Sequence, residues 1–156
     1  MTSGIESYIE RLDNAFHGNP WFGHPVLQTV ESASDIDINF HLPNGNSIGQ
    51  IVEHMLNWRI FTLEKVKGNE EYDIEINSLL DWNKDKTYSQ KDFLDIIQKL
   101  KATQNELVHL LHQHTDTDWL ETKVPGKEYS FSFLIEGIIQ HDIYHTGQIA
   151  MLKSGR

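Results

Sequence analysis

Apolar residues recur at three- and four-residue spacing in four separate stretches of this chain, and all four prolines fall between those stretches. Such spacing lines one face of a helix, so each stretch predicts an amphipathic helix that must bury its stripe against another. The first runs from Ser3 to Phe16, with Ile5, Tyr8, Ile9, Leu12 and Phe16 on one face, and stops at His17-Gly18-Asn19-Pro20. The second opens after Pro43, capped by Asn46 or Ser47, carries Ile48, Ile51, Met55, Trp58, Thr62 and Val66, and ends at Gly68. The third opens at Ser89 with Asp92 three residues on, a capping-box pattern, and runs through Phe93, Ile96, Ile97, Leu100, Leu107, Leu110 and Leu111 to His112–Thr115. The fourth starts at Ser130 or Ser132 and carries Leu134, Ile135, Ile138, Ile139, Ile149 and Leu152 to about Lys153.

Four such helices in 156 residues predict an all-α four-helix bundle forming one domain over 1–156. The acidic connection 69–88 is long enough to cross the bundle, so a simple up-down-up-down order does not follow. Between the last two helices, Pro125-Gly126 predicts a turn flanked by two short extended pieces.

Composition narrows the chemistry. Acidic residues outnumber basic ones 23 to 13, which disfavours nucleic-acid and anionic-membrane partners because these need lysine and arginine to displace counterions. No stretch approaches a membrane span, and Met1–Glu6 has neither a basic nor an apolar leader segment, so a cytoplasmic protein is expected. The chain has nine histidines and no cysteine, so a transition-metal site must use imidazole, carboxylate and water.

The fourth helix contains His141-Asp142-Ile143-Tyr144-His145. Four residues turn a helix by about 400° and raise it by about 6 Å, so the two imidazoles share a face one turn apart. Two histidines at this spacing can ligate one metal ion, although hydrogen-bonded core histidines meet the same spacing. Position 142 is aspartate where zinc proteases carry their glutamate base, which argues against proteolysis. His54, beside the stripe of the second helix, is the candidate third ligand. Three histidine ligands leave a divalent ion an open position, the mark of a catalytic site. Asp142, Tyr144 and Gln148 are candidates for supporting groups around the ligands.

The segment His141-Asp142-Ile143-Tyr144-His145-Thr146-Gly147-Gln148-Ile149 resembles the final-helix signature of the DinB-like superfamily, which includes YfiT-type proteins assigned as metal-dependent hydrolases. Ser47-Ile48-Gly49-Gln50-Ile51-Val52-Glu53-His54-Met55-Leu56-Asn57-Trp58 resembles that family's second helix, and Asn19–Leu27 its segment after the first. The resemblance implies an antiparallel bundle with a long crossover between the second and third helices. It also implies a zinc or nickel ion on His54, His141 and His145, and frequently a homodimer. Some members are thiol-dependent S-transferases or isomerases, others have been proposed as hydrolases and many have no known substrate; the resemblance implies a metal-dependent transferase or hydrolase of a small molecule. A thiol would come from a low-molecular-weight co-substrate, since the chain has none. The alternative is a non-catalytic metal- or ligand-binding bundle.

The other six histidines have ordinary readings. His109, His112 and His114 sit at a helix C-terminus, where cations are favoured, and His17, His24 and His41 sit in connections. Trp21, Phe22, Trp58, Trp82 and Trp119 are expected in the core or anchoring loops, with Trp21 and Trp58 as alternatives for a pocket mouth. Glu70, Glu71, Asp73 and Glu75 read as a solvated connection. Arg59 reads as a surface ion-pair partner or, alternatively, a binder of a substrate carboxylate.

Overall fold

The computed structural model describes residues 4–34 and 36–155. Those residues form five α-helices and no strand: α1 (Gly4–His17), α2 (Val26–Ser32), α3 (Ile48–Val66), α4 (Gln90–His112) and α5 (Phe131–Ser154), with a short 3₁₀ turn at Thr117–Glu121. The four long helices are the four predicted ones; Ser3, the expected start of the first, lies outside the described residues. Among the described residues no helix is long and apolar enough to cross a membrane.

Local chemistry sets the ends. Ser47, not Asn46, caps α3: its side chain accepts from the Gln50 amide while Gln50 Oε1 accepts from the Ser47 amide. Ser89 and Asp92 make the same reciprocal pair on α4, and Ser130 caps α5. Gly68, at φ +88°, takes the left-handed conformation that turns the chain out of α3. The extended pieces around Pro125-Gly126 shrink to a single bridge between Lys123 and Ser130. The seven-residue α2 went unpredicted because two turns after Pro25 are too short to show a period; it buries Val26, Thr29 and Val30.

Side-chain pairings give the helix directions. Gly49 at the start of α3 lies against Tyr88, just before α4, while Lys67 beyond its end pairs with Glu106 near the end of α4 (2.6 Å). The two helices therefore run parallel, which the crossover 67–89 makes possible. The contact at Gly49 is close: a Cβ there would fall 2.4 Å from Tyr88 Cδ2. Glu6 pairs with His112 (3.3 Å) and Asp13 with Gln104 (2.8 Å), so α1 runs against α4. Residues 54 and 59 of α3 meet 145 and 142 of α5, so these two also run in opposite directions.

The core has two apolar halves. One gathers Ile5, Ile9, Phe61, Leu107, Leu111 and Ile135, and the other Phe16, Val52, Met55, Phe93, Ile97 and Ile149. On α4 the halves are separated by the buried Thr103 and Gln104, and on α5 by the buried Asp142, His145 and Thr146. With His54 and Arg59 of α3, these residues form a polar layer across the middle of the apolar interior.

Arg59 belongs to that layer and not to the surface. It is 2% exposed, its Nε donates to Asp142 Oδ2 (2.7 Å), its Nη1 donates to Gln104 Oε1 (2.9 Å), and its guanidinium lies over the Phe16 ring (4.4 Å). Gln104 Nε2 continues the chain of hydrogen bonds to Asp13 Oδ1. Trp21 and Phe22 also depart from expectation, Trp21 standing fully exposed and Phe22 about half exposed.

Candidate metal centre

Three histidines from two helices meet in the polar layer. His141 and His145, one turn apart on the inward side of α5, place their ring centroids 4.4 Å from each other and 4.9 and 4.8 Å from that of His54 on α3. One ring nitrogen from each lies within 4.8 Å of the other two, and His141 Nε2 is 3.0 Å from His54 Nε2. A group of this geometry can hold a divalent ion.

Hydrogen bonds decide which nitrogens face one another. His54 Nδ1 lies 2.7 Å from the carbonyl oxygen of Asp81, which can only accept, so Nδ1 carries the proton and Nε2 offers a lone pair. Asp81 is itself fixed, its Oδ1 accepting from Trp58 Nε1 (3.0 Å) and its Oδ2 from the Asn77 amide (2.8 Å). Trp82 stacks flat on the His54 ring at 3.7 Å and 9°. His145 Nδ1 is 2.7 Å from Gln148 Oε1, which leaves its Nε2 as the acceptor. Lone pairs directed into one buried space are costly unless a cation or proton takes them. A metal ion fits this donor set.

A second observation favours the same tautomers. His141 Nδ1 and Asp142 Oδ1 are both buried without a hydrogen-bond partner and lie 3.8 Å apart. A metal on His141 Nε2 would place the proton on Nδ1, facing that carboxylate oxygen, and each orphan would gain a partner after a small adjustment.

A family model of the DinB superfamily matches residues 24–149, most of the chain and all three histidines. The chain belongs to the DinB superfamily. No curated protein and no solved structure matches it. For this DinB-superfamily chain the structure puts the expected supporting residues in different places. Gln148 holds His145, and Asp142 lies behind His141 and is shared with Arg59. Tyr144 is 66% exposed and packs edge-on against His145, where it also borders an outer concavity.

Asp81 and Trp82 were not found from the sequence. Their only signal was the apolar Leu79-Leu80 and Trp82 inside an acidic connection; of these, Trp82 docks on the site, while Leu79 and Leu80 remain exposed. Five of the remaining six histidines make ordinary contacts: His112 with Glu6, His17 with Asp13, His114 stacked on Trp119, His109 with Gln113 and His41 with the Leu42 carbonyl. His24 borders a depression beside the end of α5. Among the described residues no second group of potential ligands forms.

Burial holds His54 below the usual histidine range, with His141 adding to the effect against the Asp81 carbonyl. Burial, and next the neighbouring His141, push His145 down to about 4. Both are therefore neutral, and able to bind metal, at neutral pH. Linkage gives a sign: between pH 6.5 and about 4 the unfolded chain protonates His145 while the folded protein resists. The metal-free protein therefore loses stability as the pH falls through that window, by on the order of 3 kcal/mol from this group. Urea unfolding with a chelator at pH 7 and pH 4.5 measures the loss. His145→Leu should flatten it; an unchanged pH dependence in that variant removes His145 as its source.

Proposed function

We propose that His54, His141 and His145 hold one divalent ion, zinc or nickel, in a metal-dependent enzyme that joins the thiolate of a low-molecular-weight thiol to an electrophilic carbon of a small molecule, forming a C–S bond as a leaving group departs or a double bond is opened. The ion would supply a Lewis acid, which deprotonates a coordinated thiol at neutral pH. The protein's own residues bind and orient. Asp81 and Gln148 hold two imidazoles in the ligating tautomer, and Trp82 covers one face of His54. The group includes no fourth histidine, aspartate or glutamate among the described residues, which supports an open position.

The observation that carries the transferase reading is the state of the nearby carboxylates. Both oxygens of Asp81 already accept hydrogen bonds, and Asp142 is buried behind His141. A metal-bound water still holds much of its proton near neutral pH unless a base takes it, whereas a coordinated thiol is deprotonated outright. A thiol already ionised by coordination needs no such base. With no cysteine in the chain, that thiol comes from another molecule.

Cobalt substitution tests this. Titrating a small thiol such as 2-mercaptoethanol into cobalt-loaded protein should produce a sulfur-to-cobalt charge-transfer band that saturates at one equivalent per site. A cobalt spectrum indifferent to thiols would rule out the transferase. A spectrum showing a fourth protein ligand would instead favour the non-catalytic bundle.

A further inference from the structure

We infer that the groove between α3 and α5 beside His141 is a binding site for an uncharged apolar group the size of one aromatic ring, carried by a molecule that reacts at the histidine cluster. The link to reaction rests on the metal-dependent reading above; the pocket itself does not.

The groove has a volume of about 170 Å³, with Trp58, Phe61, Phe133 and Leu134 in its walls and His141 at one end. An aliphatic and aromatic cavity of about 150 Å³ is known to hold benzene, so the space suits a single ring. No lysine, arginine, aspartate or glutamate lines it. The hydroxyl of Thr62, also in the lining, is already spent on the Trp58 carbonyl (2.9 Å). Burial and the charge of Asp73 raise the Tyr129 phenol, which keeps it neutral. A charged ligand would lose its hydration and find no charged side chain in the lining, the ammonium groups of Lys65 and Lys127 lying 5.5 Å from the centroid of the Phe61 ring.

Gly137 makes the space. It lies in the interior of α5, where glycine is unfavourable, and it borders the groove. A Cβ built there meets nothing within 4 Å, so no packing neighbour demands glycine. The residue is four before His141 and shares its face, so a side chain at 137 would project into the groove beside that imidazole. A larger concavity of about 720 Å³ borders Tyr144 and Gln148, but none of the three histidines lines it.

The test starts with metal-free, full-length protein. Toluene should bind saturably, shift the amide resonances of Gly137 and His141, and change tryptophan fluorescence. Benzoate at the same concentrations should do none of these. Gly137→Leu should weaken toluene at least ~10-fold, and Gly137→Ala by less, with zinc affinity unchanged and the melting temperature not lowered. Absence of saturable toluene binding, equal binding of benzoate, or toluene affinity untouched by Gly137→Leu each overturns the pocket.

A second arm tests the connection. In cobalt-loaded protein phenylmethanethiol should bind at least ~10-fold more tightly than ethanethiol, and Gly137→Leu should abolish the difference. Equal affinities overturn the placement of the ring on the reacting molecule. Failure of the metal reading would look different: wild-type protein would take up no zinc or cobalt while toluene still bound.

Discussion

Replacing Arg59 by leucine should lower the unfolding free energy of the metal-free protein by about 3–5 kcal/mol, the range for breaking one side of a buried ion pair. The guanidinium is as buried as its partner: both side chains are 2% exposed and Nε–Oδ2 is 2.7 Å. With Arg59 gone, the Asp142 carboxyl is left without its partner in the apolar middle of the protein and Gln104 Oε1 loses its donor. Removing both charges is a different experiment. Arg59→Leu with Asp142→Leu should recover most of the loss, because a buried ion pair is often worth little against well-packed apolar residues. Urea unfolding of the single and double variants gives the cycle. A single-variant cost under about 1 kcal/mol would mean that water reaches the pair, which the observed burial excludes.

That pair also shows where sequence reasoning succeeds and where it stops. Helix spacing identifies faces, and caps identify ends, so the four long helices and the Ser89 cap were readable from neighbours a few residues away, while Ser47 and Ser130 were each one of two candidates. The same local rule put His141 and His145 together and Gln148 within reach of His145. Arg59 and Asp142 are 83 residues apart, and spacing along one helix does not name a partner on another. Moreover, α3 is buried nearly all round, with Ile48 to Val52 enclosed without a break. A helix surrounded by others has no solvent face for a charge, so an arginine there goes inward with a partner. Asp81 was out of reach for another reason: it serves His54 through a backbone carbonyl, which every residue has and no motif marks.

The histidines themselves should separate stability from binding. Leucine at His145 should abolish tight zinc binding, a larger effect than the roughly 10–100-fold typical of losing an outer partner. The metal-free variant should be at least as stable as wild type at pH 5, because an apolar side chain replaces an imidazole that resists protonation there. Zinc at 100 times its dissociation constant should raise the wild-type unfolding free energy by about 2.7 kcal/mol and leave the variant unmoved. Calorimetric or urea unfolding with and without zinc measures both terms. If the three histidines served only the fold, His145→Leu would lose stability without metal and zinc would shift both proteins alike. Gain without metal and loss with it is the opposite pattern, expected where lone pairs are held together in an apolar interior for a ligand and not for the chain that supplies them.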